Sequence, residues 1–238
     1  MSSTSTQSAT GRVLVVGATR GLGLAIVEEY ADRGAHVVAT ERRDEPSALR
    51  ELAVRRPEEV EVEHLDITEP EQVRGLRGRL EDGSFDVLFV VAGISLAPQD
   101  AIGADVDTAD FASMMETNVL GVMRTVEGLQ DLVTPTGTIA VMSSGQGSIC
   151  DNTTGGFEVY RATKSALNQM MRSYAARHAQ DPRTLLLMAP GWVRTALGGP
   201  NARLEVSESI PPLVATVEAQ RGTPGLQFLD RDGRTVAW

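Results

Sequence analysis

Cysteine, histidine, basic charge and long apolar runs are all scarce in this chain, and each scarcity removes a class of function. One cysteine, Cys150, allows no internal disulfide, and three scattered histidines (His36, His64, His178) offer no metal-ligand spacing. No apolar run approaches the ~20 residues a helix needs to cross a bilayer. Basic residues number 22 against 32 acidic ones, a net charge of -10, which argues against nucleic acid or an anionic membrane as a main partner. Residues 1–11 are rich in Ser and Thr with neither a basic start nor an apolar stretch, so they are expected to form a disordered leader and not a secretory signal. These features predict a reduced, cytoplasmic, metal-free protein.

What is present is a sequence of alternating strands and helices. With 238 residues and 42% apolar content the chain can bury one large core, and no repeat or composition break divides residues 12–238. Strands are expected at 12–16, 36–40, 60–65, 86–91, 138–142, 184–188 and 226–229. Helices are expected after the first glycines, over 45–56 and at a further segment before residue 86. Others fall over 107–133, 160–178 and 206–220, with Pro211 and Pro212 kinking or delaying the last. The long helix over 107–133 would place Phe111, Met115, Val119, Val122, Val126, Leu129 and Val133 on one face. Such alternation predicts an α/β fold, a single-domain doubly wound parallel sheet with helices on both faces. Ligands of such sheets bind at the C-terminal ends of the strands.

The chemistry-bearing residues fall at those ends. Gly17-Ala18-Thr19-Arg20-Gly21-Leu22-Gly23 follows the first strand and opens a helix, the context in which glycines let the backbone approach a pyrophosphate met by free N–H groups. The second strand ends in Glu41-Arg42-Arg43, where a carboxylate suits a ribose 2′-OH and arginines suit a 2′-phosphate. Arg20, Arg42 and Arg43 against one Glu41 favour the phosphate, and solvent-facing charge is the plain alternative. Asp66, beside Ile67, can accept from an adenine amino group or cap the next helix. Asn118 lies at an apolar boundary and needs hydrogen-bond partners, so it is either functional or a buried structural amide. Ser144 closes a strand, and Tyr160 and Lys164 stand four apart on one helical face. A phenol ionises near pH ~10, and a cation beside it would lower that value toward proton-transfer range. An exposed pair of this spacing is otherwise a solvated contact. Residues 192–203, rich in glycine, read as a loop over the sheet's edge.

With the glycine turn, Asn118, Ser144 and Tyr160-x3-Lys164 in this order, the sequence resembles the short-chain dehydrogenase/reductase family over nearly its whole length. Gly147-Ser148-Ile149, residues 151–156, residues 190–195 and residues 198–202 resemble the carbonyl reductases of the C-factor and Sniffer type. The resemblance implies NAD(P)-dependent hydride transfer on a carbonyl or alcohol. Tyr160 would move the proton, Lys164 would hold the ribose and lower the tyrosine pKa, Ser144 would orient the carbonyl, and Asn118 would anchor a water. It also implies that Gly17 to Gly23 hold the pyrophosphate, Asp66 and Ile67 the adenine, and Ala92-Gly93 the adenosine ribose. Pro190, Val193 and Thr195 would contact the nicotinamide end. Arg20 and Arg42 accompany NADP(H) in this family, while Glu41 keeps NAD(H) open. Val90-Val91 replaces the family's Asn-Asn, and Ser144 stands sixteen positions before Tyr160, a longer spacing than usual that leaves Ser148 as a second candidate. A homo-oligomer is expected. A dinucleotide sensor without turnover, or a lyase or epimerase on the same fold, are the alternatives.

Overall fold

The computed structural model describes residues 11–238 except Asp82, so the expected leader lies outside the described residues, apart from Gly11. Seven strands form one sheet: β1 (Arg12–Val16), β2 (His36–Glu41), β3 (Val60–His64), β4 (Phe85–Val90), β5 (Val133–Met142), β6 (Thr184–Ala189) and β7 (Gly225–Asp230). Their spatial order is β3-β2-β1-β4-β5-β6-β7, and every neighbouring pair is parallel. The central strands are apolar on both faces because both faces are covered. Thus Leu14 and Val16 enter one buried cluster while Val13 and Val15, pointing the other way, enter a second.

Helices fill the two layers. On one side lie α1 (Gly21–Asp32), α2 (Ala48–Arg55) and α7 (Val206–Ala219), whose Ile26, Leu49 and Leu213 join the second cluster. On the other lie α3 (Pro70–Arg79), α4 (Thr108–Met115), α5 (Val122–Leu129) and α6 (Glu158–Arg177). Pro211 and Pro212 sit inside α7 and do not delay its start. The N–H that Pro212 lacks would have met the Glu208 carbonyl, and the Arg231 guanidinium donates to that carbonyl instead, at 2.8 Å.

The single helix expected over 107–133 is broken. A π turn over Glu116–Gly121 separates α4 from α5, a 3-10 turn follows at Gln130–Leu132, and Val133 already belongs to β5. The wider turn rotates the apolar stripe, so Met114 and not Phe111 or Met115 is fully buried on α4. Gly121 is required where the π turn crosses the β3–α3 connection, since a Cβ there would lie 2.9 Å from the Ile67 carbonyl oxygen. In β5 the register shifts, Val133 pairing with Phe85 and Thr138 with Val87, so regular pairing runs only over the expected 138–142.

Candidate active site

The turn after β1 is shaped to receive an anion. Gly17 has φ 91° and Gly21 φ 61°, conformations that favour glycine, and a Cβ on Gly17 would lie 2.7 Å from Ala92. A Cβ on Gly23 would collide with the Gly17 carbonyl oxygen, so the helix start packs directly on the strand end. The Gly17 N–H donates to the Thr40 hydroxyl at 3.1 Å and the Ala18 N–H to the Thr40 carbonyl at 2.8 Å, fixing the turn to β2. Arg20, the N-cap of α1, supplies no capping bond from its exposed side chain, and the first turn holds no acidic residue. The N–H groups there are left for a ligand, and the positive end of the helix favours a phosphate. Thr19 and Leu22 flank this cradle, half-buried, and the Thr195 methyl lies 3.8 Å from where a Gly21 Cβ would stand.

Across the strand ends, three side chains converge. The Tyr160 phenol is pushed up to about 12 by burial, opposed in part by the Ser144 hydroxyl. Lys164, buried, is pulled down to about 8 by desolvation; its Nζ donates to the Met142 carbonyl at 2.9 Å and lies 5.7 Å from the centre of the Tyr160 ring. In the protein alone, burial sets the direction of the phenol's shift, upward. Ser144 Oγ also accepts from the Gln146 N–H at 3.1 Å. Ser148 is buried and caps a turn by accepting from the Asp151 N–H at 3.0 Å, so Ser144 is the serine beside the tyrosine.

Asn118, on the π turn, is fully buried and bonded through both side-chain polar atoms. Its Oδ1 accepts from the Ile94 N–H at 2.8 Å, and its Nδ2 donates to the Ile94 carbonyl at 2.8 Å and to the Thr163 hydroxyl at 3.1 Å. It clamps the exit of β4 to α6. Gly93 fits between, with its Cβ position 3.3 Å from Asn118 Oδ1 and 3.6 Å from Lys164 Nζ. These three bonds give the amide a structural role at the cleft.

The remaining predicted residues line the same edge. Glu41 is 1% exposed; its carboxylate accepts from the Ser47 hydroxyl at 2.8 Å and from the Arg50 guanidinium, whereas Arg42 and Arg43 are exposed. Asp66 caps locally, Oδ1 accepting from the Thr68 N–H at 2.9 Å and the Thr68 hydroxyl at 2.7 Å, and Ile67 is buried against Gly121. The Ala92 N–H donates to the Val16 carbonyl at 3.1 Å. The Pro190 carbonyl accepts from the Ser209 hydroxyl at 2.7 Å, Val193 is buried, and Thr195 accepts from the Gly198 N–H at 3.0 Å. The loop after β6 is clipped by a bridge between Val193 and Leu204, and the Trp192 indole donates to the Gly198 carbonyl at 2.8 Å. Among the described residues, no group of three or more His, Cys, Asp or Glu could hold a metal ion.

The sequence profile of the short chain dehydrogenase family matches residues 11–204. The chain belongs to that family. This short-chain dehydrogenase is an oxidoreductase enzyme, and solved relatives share its fold in detail. A short-chain dehydrogenase/reductase from Burkholderia multivorans with bound NADP is 51% identical, TM-score 0.94, over 96% of this chain and 100% of that one. A carbonyl reductase from Pseudomonas aeruginosa PAO1 in complex with NADP is 35% identical, TM-score 0.88, over 97% and 100%. The carbonyl reductase Sniffer of D. melanogaster is 29% identical, TM-score 0.84, over 96% and 100%. Three residues of this dehydrogenase that sequence patterns did not single out help build its site: Thr40, Thr163 and Arg50. Thr40 was visible as a polar residue ending an apolar strand; the other two have no signal before the fold brings their partners near.

Proposed function

We infer that the chain is an NADP(H)-dependent oxidoreductase interconverting an aldehyde or ketone and its alcohol, with Tyr160 as proton donor in the reductive direction. The observation that carries this is the buried Lys164, its Nζ 5.7 Å from the centre of the Tyr160 ring and bonded to the carbonyl that ends β5 two residues before Ser144, across the strand ends from the glycine turn. The cofactor, when bound, supplies or takes up the hydride. A phenol held near pH 12 is protonated at neutral pH, so Tyr160 carries the proton that the oxygen of a reduced carbonyl needs. Negative charge left on the phenolate oxygen faces the Lys164 ammonium, which is still mostly charged at pH 7. Ser144 has a proton to donate to the carbonyl oxygen, polarising it and fixing its position.

The cradle from Gly17 to Gly23 suits a pyrophosphate, and Ala92 and Gly93 leave backbone room for a ribose, which Lys164 is also placed to hold. Asp66 and Ile67 would meet the adenine, and Pro190, Val193 and Thr195 the nicotinamide end. Arg20, Arg42 and Arg43 are exposed while the carboxylate that ends β2, Glu41, is engaged, which favours a 2′-phosphate. The NADP bound by the Burkholderia and Pseudomonas relatives supports this choice. Half-exposed Leu96, Trp192 and Leu197 suit a substrate with an apolar body. A single domain, a cytoplasmic setting and a homo-oligomeric state complete the proposal.

Loss of NADPH absorbance against small and aromatic carbonyls tests it. Tyr160→Phe is expected to lower kcat ~10²- to 10⁴-fold while NADPH affinity stays within about threefold. Undiminished turnover in Tyr160→Phe would remove the assignment of the proton donor.

A further inference from the structure

Glu41 occupies the position from which a carboxylate could choose the cofactor, yet it is withdrawn from it. The residue ends β2, one position after Thr40, whose hydroxyl and carbonyl anchor the glycine turn. Its carbonyl accepts from the Leu65 N–H at 2.9 Å, so the backbone is fixed between β2 and β3 and only the side chain is free to choose a direction. That side chain is turned into the protein. Ser47, the N-cap of α2, donates its hydroxyl to one carboxylate oxygen at 2.8 Å while accepting from the Arg50 N–H at 3.2 Å. Arg50 Nε donates to the other oxygen, and its terminal nitrogen lies 2.6 Å from Asp44. The exposed Asp44 therefore steadies the guanidinium and the guanidinium holds Glu41. Arg42 and Arg43 are left outside this arrangement.

We propose that Arg50 is a specificity-determining positioning residue: by holding Glu41 against α2 it keeps a carboxylate out of the 2′-phosphate site and sets the preference for the phosphorylated dinucleotide. The proposal rests on the cofactor assignment above and deepens it. A carboxylate buried to 1% exposure cannot remain there as an anion with one hydroxyl as its only partner, because its desolvation is no longer offset. Without Arg50 it turns outward. There it repels a 2′-phosphate and accepts from a free ribose 2′-OH.

The test is calorimetric titration of the full chain with 2′,5′-ADP and with 5′-AMP, which reads adenosine-end recognition without turnover. The wild-type protein is expected to bind 2′,5′-ADP more tightly; equal binding would overturn the cofactor assignment and the latch with it. Arg50→Met, which keeps the stem and removes the charge, is expected to lower the 2′,5′-ADP to 5′-AMP affinity ratio about tenfold or more. Glu41→Gln/Arg50→Met, with no carboxylate to release, is expected to restore most of that ratio. If Arg50→Met weakens both ligands equally, or leaves the ratio unchanged while wild type discriminates, the latch is wrong and the cofactor assignment stands. If the double variant fails to recover, Arg50 acts on the phosphate directly and the positioning role falls.

Discussion

Every basic side chain of this protein except one is an arginine, and the exception is Lys164. The site gives the reason: a compact donor on a flexible stem reaches the Met142 carbonyl in a buried space that a forked, permanently charged guanidinium would fit poorly. Burial has a cost that pH exposes. A lysine pulled down to about 8 penalises the folded state fully below that pH, since the unfolded chain keeps its ammonium in water up to ~10.4. As pH rises from 8 to 10 the folded protein has shed the proton and the unfolded one has not, so stability rises with pH. The expected gain is about 2 kcal/mol, read from urea midpoints without cofactor, and Lys164→Met should flatten it. The pairing of Tyr160 with Lys164 was legible from spacing alone, because four residues bring two side chains onto one helical face. The direction of the tyrosine shift was not, because burial is set by β5 and the chain after it, remote in sequence.

At the scale of elements, the π turn carries the most consequence. It directs Asn118 onto both polar backbone groups of Ile94 and onto Thr163, joining β4 to α6 at the middle of the cleft. Asn118→Ala would leave both polar backbone groups of the half-buried Ile94 without that partner, while the Thr163 hydroxyl keeps its bond to the Tyr160 carbonyl, so a loss of about 2–3 kcal/mol in unfolding free energy is expected by denaturant titration. Thr163→Val should lose less, since it breaks one of the three bonds and its own donation to the Tyr160 carbonyl but leaves both Ile94 groups partnered. Buried parallel strands read clearly from sequence because a run such as 87–90 is apolar on both faces. The segment 107–133 misled because its apolar residues also fit an unbroken helix. The close approach of Gly121 to Ile67 becomes visible only in the fold. Glu41 was only partly legible: its charge suggested a ribose contact, and its partners Ser47 and Arg50 become neighbours only when α2 folds back beside β2.

Across the molecule, parallel strands bring the chain's functional segments to one edge, so residues as distant as Gly21 and Thr195 meet there. The layer containing α4, α5 and α6 keeps Phe111, Leu120 and Met170 over 40% exposed, at 44%, 43% and 43%. Apolar surface of this kind suits self-association, and sedimentation at micromolar concentration is expected to find at least a dimer. A monomer would remove that expectation. The clipped loop after β6 has a spectroscopic consequence. Of two tryptophans in the chain, Trp192 is tied into this loop by the Gly198 carbonyl, while Trp238 lies against Phe228 and Arg172. Replacing Trp238 by phenylalanine leaves one emitter, placed on the segment that flanks the cleft, so the enzyme carries its own optical probe for following that loop in real time.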